Sequence, residues 1–100
     1  ALEGMSQLIK IVKMVETRLG SKPARRVVLT MYDARTNLSK QVEEQVRGFF
    51  KDEVFQTIIP RSVKLAEAPS HGQPICLYDP ESAGALAYKQ LSEEVLQLGP

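Results

Sequence analysis

A chain of 100 residues, 43% of them apolar, is long enough for one small globular domain with its own core. Thirteen Lys and Arg stand against twelve Asp and Glu, so bulk charge selects neither nucleic acid nor membrane; only a local cluster can do so. Cys76 is the single cysteine, which excludes an intrachain disulfide and fits a reducing compartment, and no apolar run reaches the ~18 residues of a membrane span.

The first residues, ALEGMSQLIK, show no basic segment followed by an apolar one, so they do not read as a signal peptide. They lack an initiator Met and enter a helical pattern at once, which sets the expectation of a chain cut from something longer. Met5, Leu8, Val12, Val15 and Leu19 recur at helical steps and predict a helix over residues 2–19. Ile9, Ile11 and Met14 widen its apolar face, and Gly20 and Pro23 are its stop signals. A face that wide suits burial on a sheet; contact with a partner helix is the alternative.

Residues 26–32 contain VVLTMY and predict a strand covered on both faces. A loop follows, and Thr36, Asn37 and Ser39 each suit the cap of the next helix. That helix is expected to reach about Phe50, with Leu38, Val42, Val46, Phe49 and Phe50 inward and Glu43, Glu44 and Arg47 outward. Residues 54–59 predict a second strand stopped by Pro60, and residues 62–68 a short helix ended by Pro69. Residues 70–74 read as loop and 75–78 as a short apolar strand or turn. Asp79-Pro80-Glu81 reads as a helix start with Asp79 as cap, and Ala87, Leu91, Val95 and Leu98 form the inner face of the last helix.

Alternation of this kind gives an α/β fold with a parallel sheet of two or three strands flanked by helices. So thin a sheet leaves an exposed edge, which suggests the C-terminal part of a larger doubly wound domain. In open parallel sheets ligands bind beyond the carboxyl ends of the strands. Those ends carry Asp33 and Arg35 from one strand, Arg61 and Lys64 from the other, a cationic rim suited to phosphate oxygens or else a solvated charged surface. Met31, Pro60 and the Pro74-Ile75 neighbourhood are apolar at the same rim, and fit either a slot for a purine base or ordinary core packing. His71 and Cys76 lack the partners of a metal site or a nucleophile pair and read as structural loop residues. Neither GxxxxGK[ST] nor GxGxxG occurs.

The runs LTMYDARTNLS, IIPRSVKLAEAPSHGQPICLYDP and SAGALAYKQLSEEVL resemble the C-terminal part of the ParA/Soj family of chromosome- and plasmid-partitioning ATPases, relatives of MinD. The opening ALEGMSQLIKIVKMV is similar to a helix of the same family, so the resemblance covers essentially the whole chain. It implies that residues 1–100 are one incomplete domain of a deviant Walker A P-loop NTPase fold. It further implies ATP and magnesium as cofactors of the full-length parent, an ATP-dependent homodimer and non-specific DNA binding. A ParB-like centromere-binding partner, a cytoplasmic and nucleoid-associated location and no membrane partner complete the expectation. The family's phosphate-binding lysines, magnesium-binding residues and hydrolytic aspartate have no counterpart in these residues, so no catalytic or metal residue is assigned. By matching positions, Met31, Pro60 and Arg61 would contact adenine, and Arg35 and Lys64 would contact DNA, Lys64 standing where close relatives often carry Arg. The alternative is a standalone small α/β nucleic-acid-binding or interaction module without catalysis. A receiver-like domain ranks last, because it needs an early acidic pocket.

Overall fold

Apolar residues at three- and four-residue steps wind Leu2–Leu19 into α1, and Gly20 ends it. Gly20 sits at φ +68°, where only a residue without Cβ is unstrained, and its N–H donates to the Glu16 carbonyl at 3.0 Å. The computed structural model describes residues 2–20 and 24–99; Pro23, the second expected stop, lies outside them. Contrary to expectation, α1 buries no residue, and Ile11, Met14 and Leu19 are more than half exposed. Met5, Ile9 and Val12 are half-buried, while Leu8 and Val15 join the exposed side, so the wide apolar face is covered only in part.

Val27–Tyr32 forms β1. Only Leu29 is buried on it, while Thr30 and Met31 are exposed, so the strand is not covered on both faces as expected. Thr36 is the cap chosen from three candidates for α2, Asn37–Phe50: its backbone is extended and its hydroxyl accepts from Ser39 N–H at 3.2 Å. Val46 and Phe50 are buried, but Leu38 at the helix start is exposed rather than inward. A 3-10 turn, Lys51–Glu53, then leads into β2, Val54–Pro60. Val54, Thr57 and Ile59 are buried on β2. Pro60 is the last residue of β2 rather than a stop beyond it, a position where its missing N–H is tolerated.

The strands form a two-stranded parallel sheet among the described residues. Arg61 N–H, just past β2, donates to the carbonyl of Tyr32, the last residue of β1, at 2.9 Å, so both carboxyl ends lie side by side.

Val63–Glu67 forms α3, capped by Ser62, whose hydroxyl accepts from Leu65 N–H at 3.4 Å. Pro69 does not end the helical path there. It lies near the start of a 3-10 turn, Ala68–His71, where its fixed φ is accommodated. Ile75–Tyr78 is one turn of helix, α4, rather than a strand, with Tyr78 N–H donating to the Pro74 carbonyl at 2.9 Å. The expected helix start at Asp79 is also corrected. Asp79 accepts from Ser82 N–H at 3.1 Å and from the Ser82 hydroxyl at 2.8 Å, closing a turn. Ser82 then caps α5, Ala83–Gln97, by accepting from Ala85 N–H at 3.2 Å. Gly84, Ala85 and Ala87 are the buried residues of α5, whereas Val95 and Leu98 are exposed.

The chain divides into two compact units. One contains the residues up to Val27 and those from Ala34 to Val54. In it α1 meets α2 through Gln45 Nε2 donating to Ser6 Oγ at 3.1 Å and through Lys13 Nζ, 5.3 Å from the Phe49 ring. Arg25 bridges Glu16 and Glu53, the latter at 3.0 Å, and lies 5.2 Å from the Phe50 ring. The Glu16 hydrogen bond, with the charges of Glu16 and Glu53, raises the Arg25 pKa above its ordinary value against the effect of burial. The other unit contains Val28–Asp33 and the residues from Phe55 onward. There Glu94 of α5 accepts from the N–H groups of Gln56 at 2.9 Å and Thr57 at 2.6 Å, and from the Thr57 hydroxyl. Gly84 faces Leu65: a Cβ on Gly84 would stand 2.5 Å from Leu65 Cγ, so α3 rests on α5 at a position that only glycine fits.

Candidate functional site

The paired carboxyl ends of β1 and β2 are built by hydrogen bonds within the second unit. The Arg61-to-Tyr32 bond carries the sheet pairing one residue beyond Pro60. It sets Met31, Pro60 and Arg61 around one pair of strand ends. Met31 has φ +53°, the left-handed region that a side chain rarely enters, and is 74% exposed. Pro60 is half-buried and Arg61 exposed. An exposed thioether, a pyrrolidine ring and a guanidinium offer two apolar surfaces and one planar cation, groups able to flank a flat aromatic ligand.

Ser62 turns the chain into α3, which presents Lys64 as an exposed residue of the same unit. Lys64 Nζ lies 5.9 Å from the centroid of the Tyr78 ring. Tyr78 donates its hydroxyl to Glu67 Oε2 at 2.6 Å, and the His71 ring stacks on it at 4.7 Å with an interplanar angle of 20°. The hydrogen bond to Glu67, then burial and the nearby carboxylates, hold the Tyr78 phenol above its ordinary pKa, so it stays a neutral donor. Arg35 is exposed in the turn before α2, belongs to the first unit and is engaged rather than free. Four of the five residues singled out in the sequence, Met31, Pro60, Arg61 and Lys64, therefore share a unit, with Arg35 in the other.

Tyr78 and Glu67 escaped the sequence reading. They are 11 residues apart across a turn and two short helices, and no periodic pattern spans that distance. His71 was expected to be structural, and its stacking on Tyr78 is a packing role. Cys76 is exposed and free. Among the described residues no group of three His, Cys, Asp or Glu is placed to hold a metal ion. Among them, too, no helix is long and apolar enough to cross a membrane.

Comparison with known proteins gives these residues a context. Residues 3–75 match the family model of the CobQ/CobB/MinD/ParA nucleotide binding domain. The chain is 53% identical over 100 residues to the sporulation initiation inhibitor protein Soj of Bacillus subtilis, covering 99% of this chain and 40% of that protein. It is 48% identical over 97 residues to the chromosome-partitioning ATPase Soj of Treponema pallidum, covering 96% of this chain and 38% of the relative. With the chromosome partitioning protein ParA of Caulobacter vibrioides it shares 46% identity over 97 residues, 96% of this chain and 36% of the relative. The chain thus spans less than half the length of each of these relatives.

Proposed function

We propose a role for this chain from one premise: it belongs to the CobQ/CobB/MinD/ParA nucleotide-binding family, among its Soj and ParA chromosome-partitioning members. It serves a partitioning ATPase of that type by supplying the adenine side of the nucleotide pocket and part of a non-specific DNA surface. Met31 and Pro60 provide apolar contact with the base, and Arg61 a planar cation beside it. Arg35 and Lys64 meet DNA phosphates as point charges or forks of donors, without reading sequence. The whole assembly would use ATP with magnesium, dimerise, and answer to a centromere-binding partner of the ParB kind, in the cytoplasm at the nucleoid. When bound, ATP supplies the phosphoryl group; the residues here bind and orient and carry no hydrolytic group.

The single observation that supports this most is the hydrogen bond from Arg61 N–H to the Tyr32 carbonyl, which gathers three candidate base-contacting residues at adjacent strand ends. Saturation-transfer NMR with ATP tests the base contact: the adenine protons should respond and the response should weaken in Met31→Ala and Arg61→Ala. An undiminished response in both variants would overturn the assignment. For DNA, affinity should fall linearly on a log–log plot against salt, with a slope of about 0.9 per phosphate contacted. The Arg35→Glu, Lys64→Glu double variant should lose retention, and unchanged retention would remove this surface. These residues alone should release no phosphate from ATP and magnesium above the blank; measurable turnover would contradict the reading.

A further inference from the structure

Between α3 and α5 lies a side-chain cluster that the base contact does not use. Its centre is Tyr78, at the end of α4. The hydroxyl donates to Glu67 at 2.6 Å, the ring is stacked by His71 at 4.7 Å, and Lys64 Nζ stands 5.9 Å from its centroid. Glu67 and Lys64 are three residues apart on α3, so one tyrosine engages two neighbouring positions of the same short helix. His71, from the 3-10 turn, braces the ring in place. The cluster ties together every element between β2 and α5.

A lysine on a five-residue helix would ordinarily sample many rotamers and lose that freedom on meeting a phosphate. An aromatic face near the ammonium narrows the sampling beforehand. The contact is at the outer limit of cation–π range and the lysine is exposed, so the hold is weak enough to be released to a stronger anion.

We propose that Tyr78 is a positioning residue for Lys64: its ring and its bond to Glu67 hold α3 and pre-aim the Lys64 ammonium toward DNA phosphate. This rests on the DNA-binding reading of Lys64 given above. The sequence run from Lys64 to Tyr78 is then a mount for one cation as well as a connection to α5.

DNA retention at graded salt by the wild-type chain, Tyr78→Leu, Lys64→Ala and the double variant tests it. Lys64→Ala should weaken binding and flatten the salt dependence by about 0.9 in slope. Tyr78→Leu should weaken binding about three-fold, the scale of an exposed cation–π contact, at unchanged slope. The double variant should bind no more weakly than Lys64→Ala alone. Tyr78→Phe keeps the ring but not the Glu67 bond and should fall between wild type and Tyr78→Leu; if Tyr78→Leu fails to fold, the same cycle is run with Tyr78→Phe. A readout independent of DNA is the ring-current shift of the Lys64 Cε protons, upfield in wild type and Tyr78→Phe and lost in Tyr78→Leu. A loss from Tyr78→Leu that persists undiminished in the Lys64→Ala background overturns positioning while leaving the DNA reading intact. Unchanged binding by Lys64→Ala overturns the DNA reading and the positioning role with it, and an unshifted Lys64 in wild type overturns positioning alone.

Discussion

Met31 occupies a left-handed backbone position, φ +53°, at the end of β1 with its side chain 74% exposed. For a residue with Cβ that conformation costs about 1–2 kcal/mol, and no burial of the side chain offsets it. Strain kept at a strand end that faces a candidate ligand is a hint of function. Met31→Gly should raise stability by roughly 0–1 kcal/mol, since relief of strain is partly cancelled by the freedom glycine gains on unfolding. Met31→Ile, β-branched, should lower it by about 1–2 kcal/mol. Urea midpoints read both, and a Met31→Gly variant that keeps full adenine response would remove Met31 from the base contact. Lys51, also at φ +53° with ψ −119°, is strained in the turn between α2 and β2. Lys51→Gly should stabilise by about 1 kcal/mol, and a lower melting temperature would show that the lysine does more than make the turn. Tyr78 makes the remaining residue-scale prediction. Its phenol pKa is raised in the folded chain, so the folded state holds the proton more tightly than the unfolded state. The associated stability is fully present below the unfolded value of 10.0 and is lost as pH rises through the higher folded value. Alkaline unfolding curves should flatten in Tyr78→Phe; identical curves would show that the Glu67 bond does not survive in solution.

At the scale of elements, α3 depends on α5 through a close approach at Gly84. Any Cβ there would meet Leu65 Cγ at 2.5 Å, so the Leu65 side chain, or α3 with it, must shift to admit it. Gly84→Ala is expected to cost about 1–3 kcal/mol in spite of alanine's better helix propensity. Leu65 follows Lys64, so the same displacement should also reduce the ring-current shift on Lys64; a stable Gly84→Ala chain with Lys64 unmoved would show that α3 is set elsewhere. The longer elements were legible in the sequence because their hydrophobic patterns run for many residues: α1, α2 and α5 all appear, as do both strands. The segment from Ser62 to Ser82 was less legible. Its turns are four or five residues long and are set by Ser62, Pro74 and Asp79 hydrogen bonds that no periodicity records. Ser82 rather than Asp79 is the cap because the chain is still in a turn at Asp79, whose carbonyl accepts from Ser82, and the helix begins only at Ala83.

For the whole molecule, the misjudged faces share one cause. Expectations of burial for α1, β1 and the end of α5 treated apolar residues as covered, whereas Ile11, Met31 and Leu98 are open in this 100-residue chain. The rule that ligands gather at strand carboxyl ends pointed to a rim that includes Met31, Pro60 and Arg61, while their grouping as base contacts came from the family resemblance. The backbone strain at Met31 was not legible, because methionine carries no preference for left-handed turns, and the Tyr78 cluster was not, because its members come from separate short elements. Thr57 held a further clue, a hydroxyl in the apolar run VFQTIIP, and it is 2% exposed against the Glu94 carboxylate. That carboxylate also occupies the N–H of Gln56. A strand of a two-stranded sheet is an invitation to neighbouring chains, since free backbone donors template further strands. By occupying those donors, the Glu94 side chain of α5 withholds them from other molecules. Glu94→Ala should therefore cost about 1–3 kcal/mol through the orphaned Thr57 groups. It should also make the protein scatter light at concentrations where the wild type stays clear. The longevity of the chain in a crowded solution would then depend on one carboxylate far along the last helix.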